Sequence, residues 1–97
     1  MAIGLKPDYA VADYNRGTEL QREGKNSEAI SHYKMAIKIN PDFADAYNNL
    51  GALLFNAKMT EEAIDYFKEA IRVQPDFAAA QKNLETALRS MEIQDLF

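Results

Sequence analysis

Apolar residues return along this chain at intervals of three and four. Ala46, Leu50, Leu53, Leu54 and Ala57 form one such run, and Ala63, Ile64, Phe67, Ala70 and Ile71 form the next. That is the period of a helix with one buried stripe, and no alternation of apolar and polar residues competes for a strand. Lys58-Met59-Thr60 makes the turn between the two runs, as Glu23-Gly24-Lys25-Asn26 does earlier. Gly24 suits the left-handed residue that closes a helix, and Lys58 holds the same place less comfortably. Asn26 and Thr60 are expected to cap the helices that follow. The pattern therefore predicts helices in pairs, joined by tight turns.

The pairs repeat. PDYA at 7–10 returns as PDFA at 41–44 and again, at the same interval, at 75–78. Laid over itself at that interval without a gap, the chain matches Ala12 with Ala46, Asn15 with Asn49, Gly17 with Gly51, Leu20 with Leu54, Ala29 with Ala63 and Ala36 with Ala70. Self-similarity at a fixed period marks stacked supersecondary units that bury a continuous core between neighbours. One domain is expected over 1–97. Its parts are repeat 1 over 10–43, repeat 2 over 44–77, and a half repeat with capping helix and tail over 78–97. Residues 1–9 are read as the remnant of a preceding repeat or an N-terminal extension.

Each Pro-Asp-aromatic phrase has a physical reading. Pro41 lacks the amide hydrogen an inner helical residue must donate and stops the second helix of its unit. Asp42 is expected to accept from the unpaired amides that open the next helix, and Phe43 to enter apolar packing. Gly17 and Gly51 fall mid-helix, where glycine costs about 1 kcal/mol relative to alanine. Ala29 follows Gly17 at the same spacing as Ala63 follows Gly51. This shared register predicts a close approach between a helix with no side chain and one bearing only a methyl.

Tyr47, Leu50-Gly51, Leu54, Ala63, Phe67, Ala70 and Pro75 stand in one such unit. Together they resemble the signature of the tetratricopeptide repeat, a helix-turn-helix unit of about 34 residues. The resemblance covers essentially the whole chain. It implies an all-α fold, a right-handed superhelical stack of antiparallel helix pairs with two full repeats and a C-terminal capping helix. Unit one departs from the pattern, with Asp13 where the family has an aromatic and Arg16 where it has leucine. In the half unit Glu85 replaces the small residue in register with Gly51. These polar departures fall at the ends, where a solenoid needs polar caps.

Composition narrows the chemistry. A net charge of −4 argues against a nucleic-acid footprint, which needs a basic stripe. With no cysteine and one histidine there is neither a disulfide framework nor a Cys/His zinc cluster. The four glycines form no phosphate loop or dinucleotide fingerprint, and no nucleophile, base and orienting acid can be drawn from His32 alone. His32 reads as a surface or packing residue, and Glu61, Glu62, Asp65 and Glu69, interleaved with Lys68 and Arg72, as a solvated helix face. No enzyme activity, cofactor or metal is expected, and no membrane insertion. Without a targeting signal the default location is cytoplasmic.

The resemblance implies a protein–protein interaction module in which the first helix of every unit lines a concave groove that holds an extended peptide or partner segment. On this chain the groove would use Tyr14, Asn15 and Thr18, then Asn48, Asn49 and Phe55, then Lys82, Asn83 and Arg89; Val11, Arg22, Asp45, Ala52, Asn56 and Thr86 share that face. Asn15, Asn49 and Asn83 share one register. A primary amide carries donors and an acceptor, so this ladder could hold peptide backbone of any sequence, or it could tie neighbouring first helices together. The family's carboxylate clamp for chaperone tails would fall on Tyr14, Thr18, Asn49, Ala79 and Asn83, of which only Asn49 conforms, and the missing cations argue against such a ligand. Two further functions fit the pattern: self-assembly through the flank left open beside the half unit, and service as the substrate-recruiting part of a larger enzyme.

Overall fold

The computed structural model describes residues 6–95, and among these the chain forms five α-helices and no strand. They are α1 (Lys6–Arg22), α2 (Asn26–Ile39), α3 (Ala44–Asn56), α4 (Thr60–Val73) and α5 (Ala78–Asp95). α1 packs on α2 and α3 on α4, while contacts of α2 with α3 and of α4 with α5 join the pairs into a stack. The core runs through the pairs: Leu20, Ala29, Tyr33, Leu50, Leu53, Leu54, Ala63, Ile64, Phe67 and Ala87 form one buried cluster, and Tyr47, Ala70 and Ala80 a second. None of the helices is long and apolar enough to cross a membrane. Residues 1–5 of the N-terminal stub and Leu96 and Phe97 of the tail lie outside the described residues; the tail's preceding residues continue α5 as far as Asp95.

The turns inside each pair are built alike. Lys25 N–H donates to the Leu20 carbonyl (2.8 Å) and Gly24 N–H to that of Gln21 (3.0 Å). One repeat later Met59 N–H donates to Leu54 (2.9 Å) and Lys58 N–H to Phe55 (3.0 Å). This double closure of a helix end requires a left-handed residue, and Gly24 has φ +82° and Lys58 φ +70°. Lysine pays for that conformation with its Cβ; the left-handed helical region costs an L-residue about 1–2 kcal/mol. Lys58→Gly is therefore expected to stabilise the fold by about 0.5–1 kcal/mol after its larger unfolded-state entropy is deducted, read as a higher urea midpoint at unchanged slope.

The expected side-chain caps do not form. Because the turn is closed by backbone alone, Lys25 and Met59 take the N-cap positions, and their carbonyls accept from the amides of Ala29 (3.0 Å) and Ala63 (3.1 Å). Asn26 and Thr60 are thereby the first helical residues, one place too late to cap. Asp42 is one place too early. Phe43 holds the N-cap of α3 with no side-chain bond, its carbonyl accepting from Ala46 and Tyr47. The polar stabiliser of this turn is Asn40, whose Oδ1 accepts from the Asp42 amide at 3.1 Å. Pro41 does stand just past the end of α2, whereas Pro7 lies in the first turn of α1, where a missing N–H has no intrahelical acceptor to disappoint.

The glycines meet rings, not methyls. A Cβ at Gly51 would lie 2.6 and 2.8 Å from Phe67 Cε1 and Cδ1 and 3.2 Å from the Ala63 carbonyl oxygen, and one at Gly17 would lie 2.8 and 2.9 Å from Tyr33 Cε1 and Cδ1. The close approach is real, but its partner is the aromatic residue one helical turn beyond the alanine. Ala29 and Ala63, both fully buried, contribute by being small enough to let the helices come near.

Polar departures in unit one come in pairs that touch. Where repeat 2 stacks Tyr47 on Tyr66 (centroids 6.2 Å apart), the same registers of repeat 1 hold Asp13 and His32, joined at 3.0 Å between Oδ1 and Nδ1. His32 is thus a half-buried link between α1 and α2. At the other end Glu85 and Leu88 of α5 are exposed although Gly51 and Leu54, their counterparts, are buried. No further helix follows α5 among the described residues to cover them.

Candidate functional site

Two side-chain hydrogen bonds tie the first helices into a row. Asn49 Nδ2 on α3 donates to the Tyr14 hydroxyl on α1 (3.1 Å), and Asn83 Nδ2 on α5 donates to Asn48 Oδ1 on α3 (2.9 Å). Both amides of the ladder that have a preceding first helix therefore bridge to it. Asn15, the first of the three, is exposed and makes no side-chain hydrogen bond among the described residues. Asn49 and Asn83 each use one N–H in this way and keep an N–H and an Oδ1.

The other residues of the row divide by burial. Tyr14 is half-buried, its ring 5.7 Å from that of Tyr33 and 5.0 Å from that of Phe43. Burial, with help from Asp45, raises its hydroxyl above the ordinary tyrosine value of about 10, so it stays a neutral acceptor for Asn49. Asn48, only 9% exposed, has its acceptor satisfied by Asn83. Thr18 Oγ1 donates to the Tyr14 carbonyl (3.0 Å), and Phe55 packs against the main core cluster. Lys82 and Arg89 are exposed, with Arg89 3.6 Å from Glu85 of its own helix.

Between α1 and α3 lies a depression of about 410 Å³ lined by Thr18, Gln21, Arg22, Asn49 and Ala52. Thr18 and Asn49 meet here, as do Arg22 and Ala52 of the expected groove face; Lys82, Asn83 and Arg89 stand on α5 and do not line it. Gln21 is an addition. Its Oε1 accepts from the Tyr33 hydroxyl at 2.8 Å, and Thr18 Oγ1 lies 3.3 Å from the same hydroxyl, so a residue that is 0% exposed keeps its polar atom satisfied. Register is the sequence signal for Gln21: it holds the place in repeat 1 that Phe55 holds in repeat 2 and Arg89 in the half repeat, both expected on the groove face. In repeat 2 the three positions are Ala52, Phe55 and Phe67. The hydroxyl and both of its partners are absent together.

A stack of antiparallel helix pairs at a fixed period, with a polar row along its first helices, defines a helical-repeat solenoid. The chain belongs to the tetratricopeptide repeat family: the family model described as TPR repeat matches residues 17–57 and that described as tetratricopeptide repeat matches 44–77. No curated protein matches the sequence. Among solved structures the chain is similar to the N-terminal domain of stress-induced protein-1 (STI-1) from C. elegans, at 23% identity over 90% of this chain and 74% of that one, with a TM-score of 0.83. It is similar also to the second TPR of Spaghetti (RPAP3) bound to HSP90 peptide SRMEEVD, at 21% identity over 98% of this chain and 88% of that one, TM-score 0.90. A third is MamA protein, at 26% identity over 92% of this chain and 49% of that one, TM-score 0.84. The first two likenesses speak for the fold.

Proposed function

We propose that the protein is a non-enzymatic interaction module that holds an extended peptide or partner segment along the row formed by α1, α3 and α5. The observation that carries this reading is the row itself. Amide groups with unused donors and acceptors recur along it at Asn15, Asn49 and Asn83, and a depression opens beside the middle one. Such groups pair with the N–H and C=O of an extended chain whatever its side chains. A TPR of the same fold is solved with a peptide bound. The HSP90-type acidic tail of that complex is not the ligand favoured here, because Tyr14, Ala79 and Asn83 supply no cation where a terminal carboxylate grip would want one.

Asn15 gives the cleanest test, since its side chain makes no hydrogen bond among the described residues. Asn15→Ala is expected to leave the melting temperature unaltered and to weaken several unrelated library-selected peptides by a similar factor, about three- to tenfold, as the loss of one or two backbone hydrogen bonds requires. Asn83→Ala removes the partner of buried Asn48 and is expected to lower stability by about 1–2 kcal/mol with or without peptide. Calorimetric titration and thermal melting on the same variants separate the two roles. Unchanged affinity of Asn15→Ala for every peptide would remove the ladder's open face from the binding site.

A further inference from the structure

We infer that the depression between α1 and α3 is a subsite for the side-chain carboxylate of an aspartate or glutamate within the bound segment, which rests on the peptide-binding reading and names part of its ligand. The polar atoms of the lining decide its character. Gln21 commits its one acceptor to the Tyr33 hydroxyl, leaving its two amide N–H groups unpaired among the described residues. Thr18 has given its proton to the Tyr14 carbonyl, and Asn49 retains one N–H after bonding the Tyr14 hydroxyl. Arg22 adds a guanidinium with five N–H donors. Apart from Asn49 Oδ1 and the lone pairs of Thr18 Oγ1, the unused groups are donors, and one is cationic.

That cation makes no ion pair among the described residues. Glu19, three residues before Arg22 and able in principle to pair with it, lies 3.2 Å from Arg16, and Glu23 lies 3.6 Å from Lys25. Among the described residues no carboxylate comes within 4.0 Å of Arg22. A wall of N–H donors with a single unpaired cation complements a singly charged acceptor. A carboxylate meets that description, and the planar guanidinium can take it through two parallel N–H bonds. A phosphate, with a charge nearer −2, would ask for more than one cation. The buried Tyr33 hydroxyl acts at one remove: by occupying Gln21 Oε1 it orients that amide so that its nitrogen is the end left for a ligand.

The inference is tested on the full chain with a displayed library of random peptides, each fused to its carrier through the C-terminus so that no terminal carboxylate is present. Selected peptides are expected to share an Asp or Glu at one position. Changing that residue to Gln or Asn in the synthetic, C-terminally amidated peptide should weaken binding about tenfold in calorimetric titration, and less at high salt. Arg22→Gln should lose the same factor for the acidic peptide only, with an unchanged melting temperature because Arg22 is exposed. Gln21→Glu keeps an acceptor for Tyr33 but replaces the donors with an anion, and should shift selection towards Lys and Arg. Peptides enriched without an acidic position, or an acidic preference that survives Arg22→Gln, overturn the carboxylate subsite and leave peptide binding standing. A library that yields no binder overturns both.

Discussion

Gly51→Leu is expected to destabilise the protein by about 3 kcal/mol, lowering Tm by about 12–24 °C for a domain of this size. Even the first atom of the new side chain would stand 2.6 Å from Phe67 Cε1 and 3.2 Å from the Ala63 carbonyl oxygen. Phe67 is 1% exposed and held in the main core cluster, so the ring has nowhere to swing, and the carbonyl belongs to the backbone of α4. The helices α3 and α4 must therefore separate. Leucine's better helix propensity returns only about 0.8 kcal/mol. Overpacking ordinarily costs about 1–3 kcal/mol, and a clash against immobile groups belongs at the top of that range. A compensating change identifies the partner: with Phe67→Ala added, the leucine has room, and the double variant should be more stable than the summed single losses imply. Simple additivity would mean that the ring is not what the glycine accommodates, and an unmoved Tm for Gly51→Leu would contradict the packing of α3 on α4.

Phe67→Tyr should cost about 2–3 kcal/mol although it adds one oxygen, because a buried hydroxyl left unpaired loses its hydration without return and the added atom must also be packed. In repeat 1 the equivalent Tyr33 hydroxyl is fully buried yet satisfied, donating to Gln21 Oε1 at 2.8 Å with Thr18 Oγ1 3.3 Å away. Repeat 2 offers Phe55 and Ala52 at those registers, neither able to bond. Adding Ala52→Thr and Phe55→Gln to Phe67→Tyr transplants the polar set of repeat 1 and should recover most of the loss in urea unfolding. The reverse change, Tyr33→Phe, leaves only the half-buried Gln21 amide to find water and should cost less than about 1 kcal/mol. Equal stability of Phe67→Tyr and the parent would show that the two repeats do not pack their aromatic residues alike.

The polar substitutions of repeat 1 look like scattered departures from the family pattern until contacts are known. Asp13 touches His32, and Tyr33 is bonded to Gln21 and lies close to Thr18; each set is replaced as a whole by Tyr47 with Tyr66 and by Phe67 with Phe55 and Ala52 one repeat later. Internal repetition thus carried contact information in the sequence. Comparing the two units position by position for joint changes would have pointed to His32 as the partner of Asp13.

What the sequence determined by itself is everything set within one helical turn and copied from unit to unit: the helical runs, their ends near Pro41 and Pro75, the left-handed positions at Gly24 and Lys58, and the family. Those features depend on backbone hydrogen bonds and local sterics, which reach only four or five residues along the chain. The N-caps stand one residue away from the polar side chains of Asn26, Asp42 and Thr60, because backbone hydrogen bonds, not a side chain, decide where each helix begins. Tertiary structure decided the rest. Both bonds between first helices, Asn49 to Tyr14 and Asn83 to Asn48, span one position more than the repeat, so the amide meets not its own counterpart but the residue before it. Likewise Gly51 meets Phe67 one turn beyond Ala63. Which of two neighbours on a helix faces the next depends on the rotation and crossing of whole helices, about 100° per residue around the axis, and that is fixed by the packing of the entire stack.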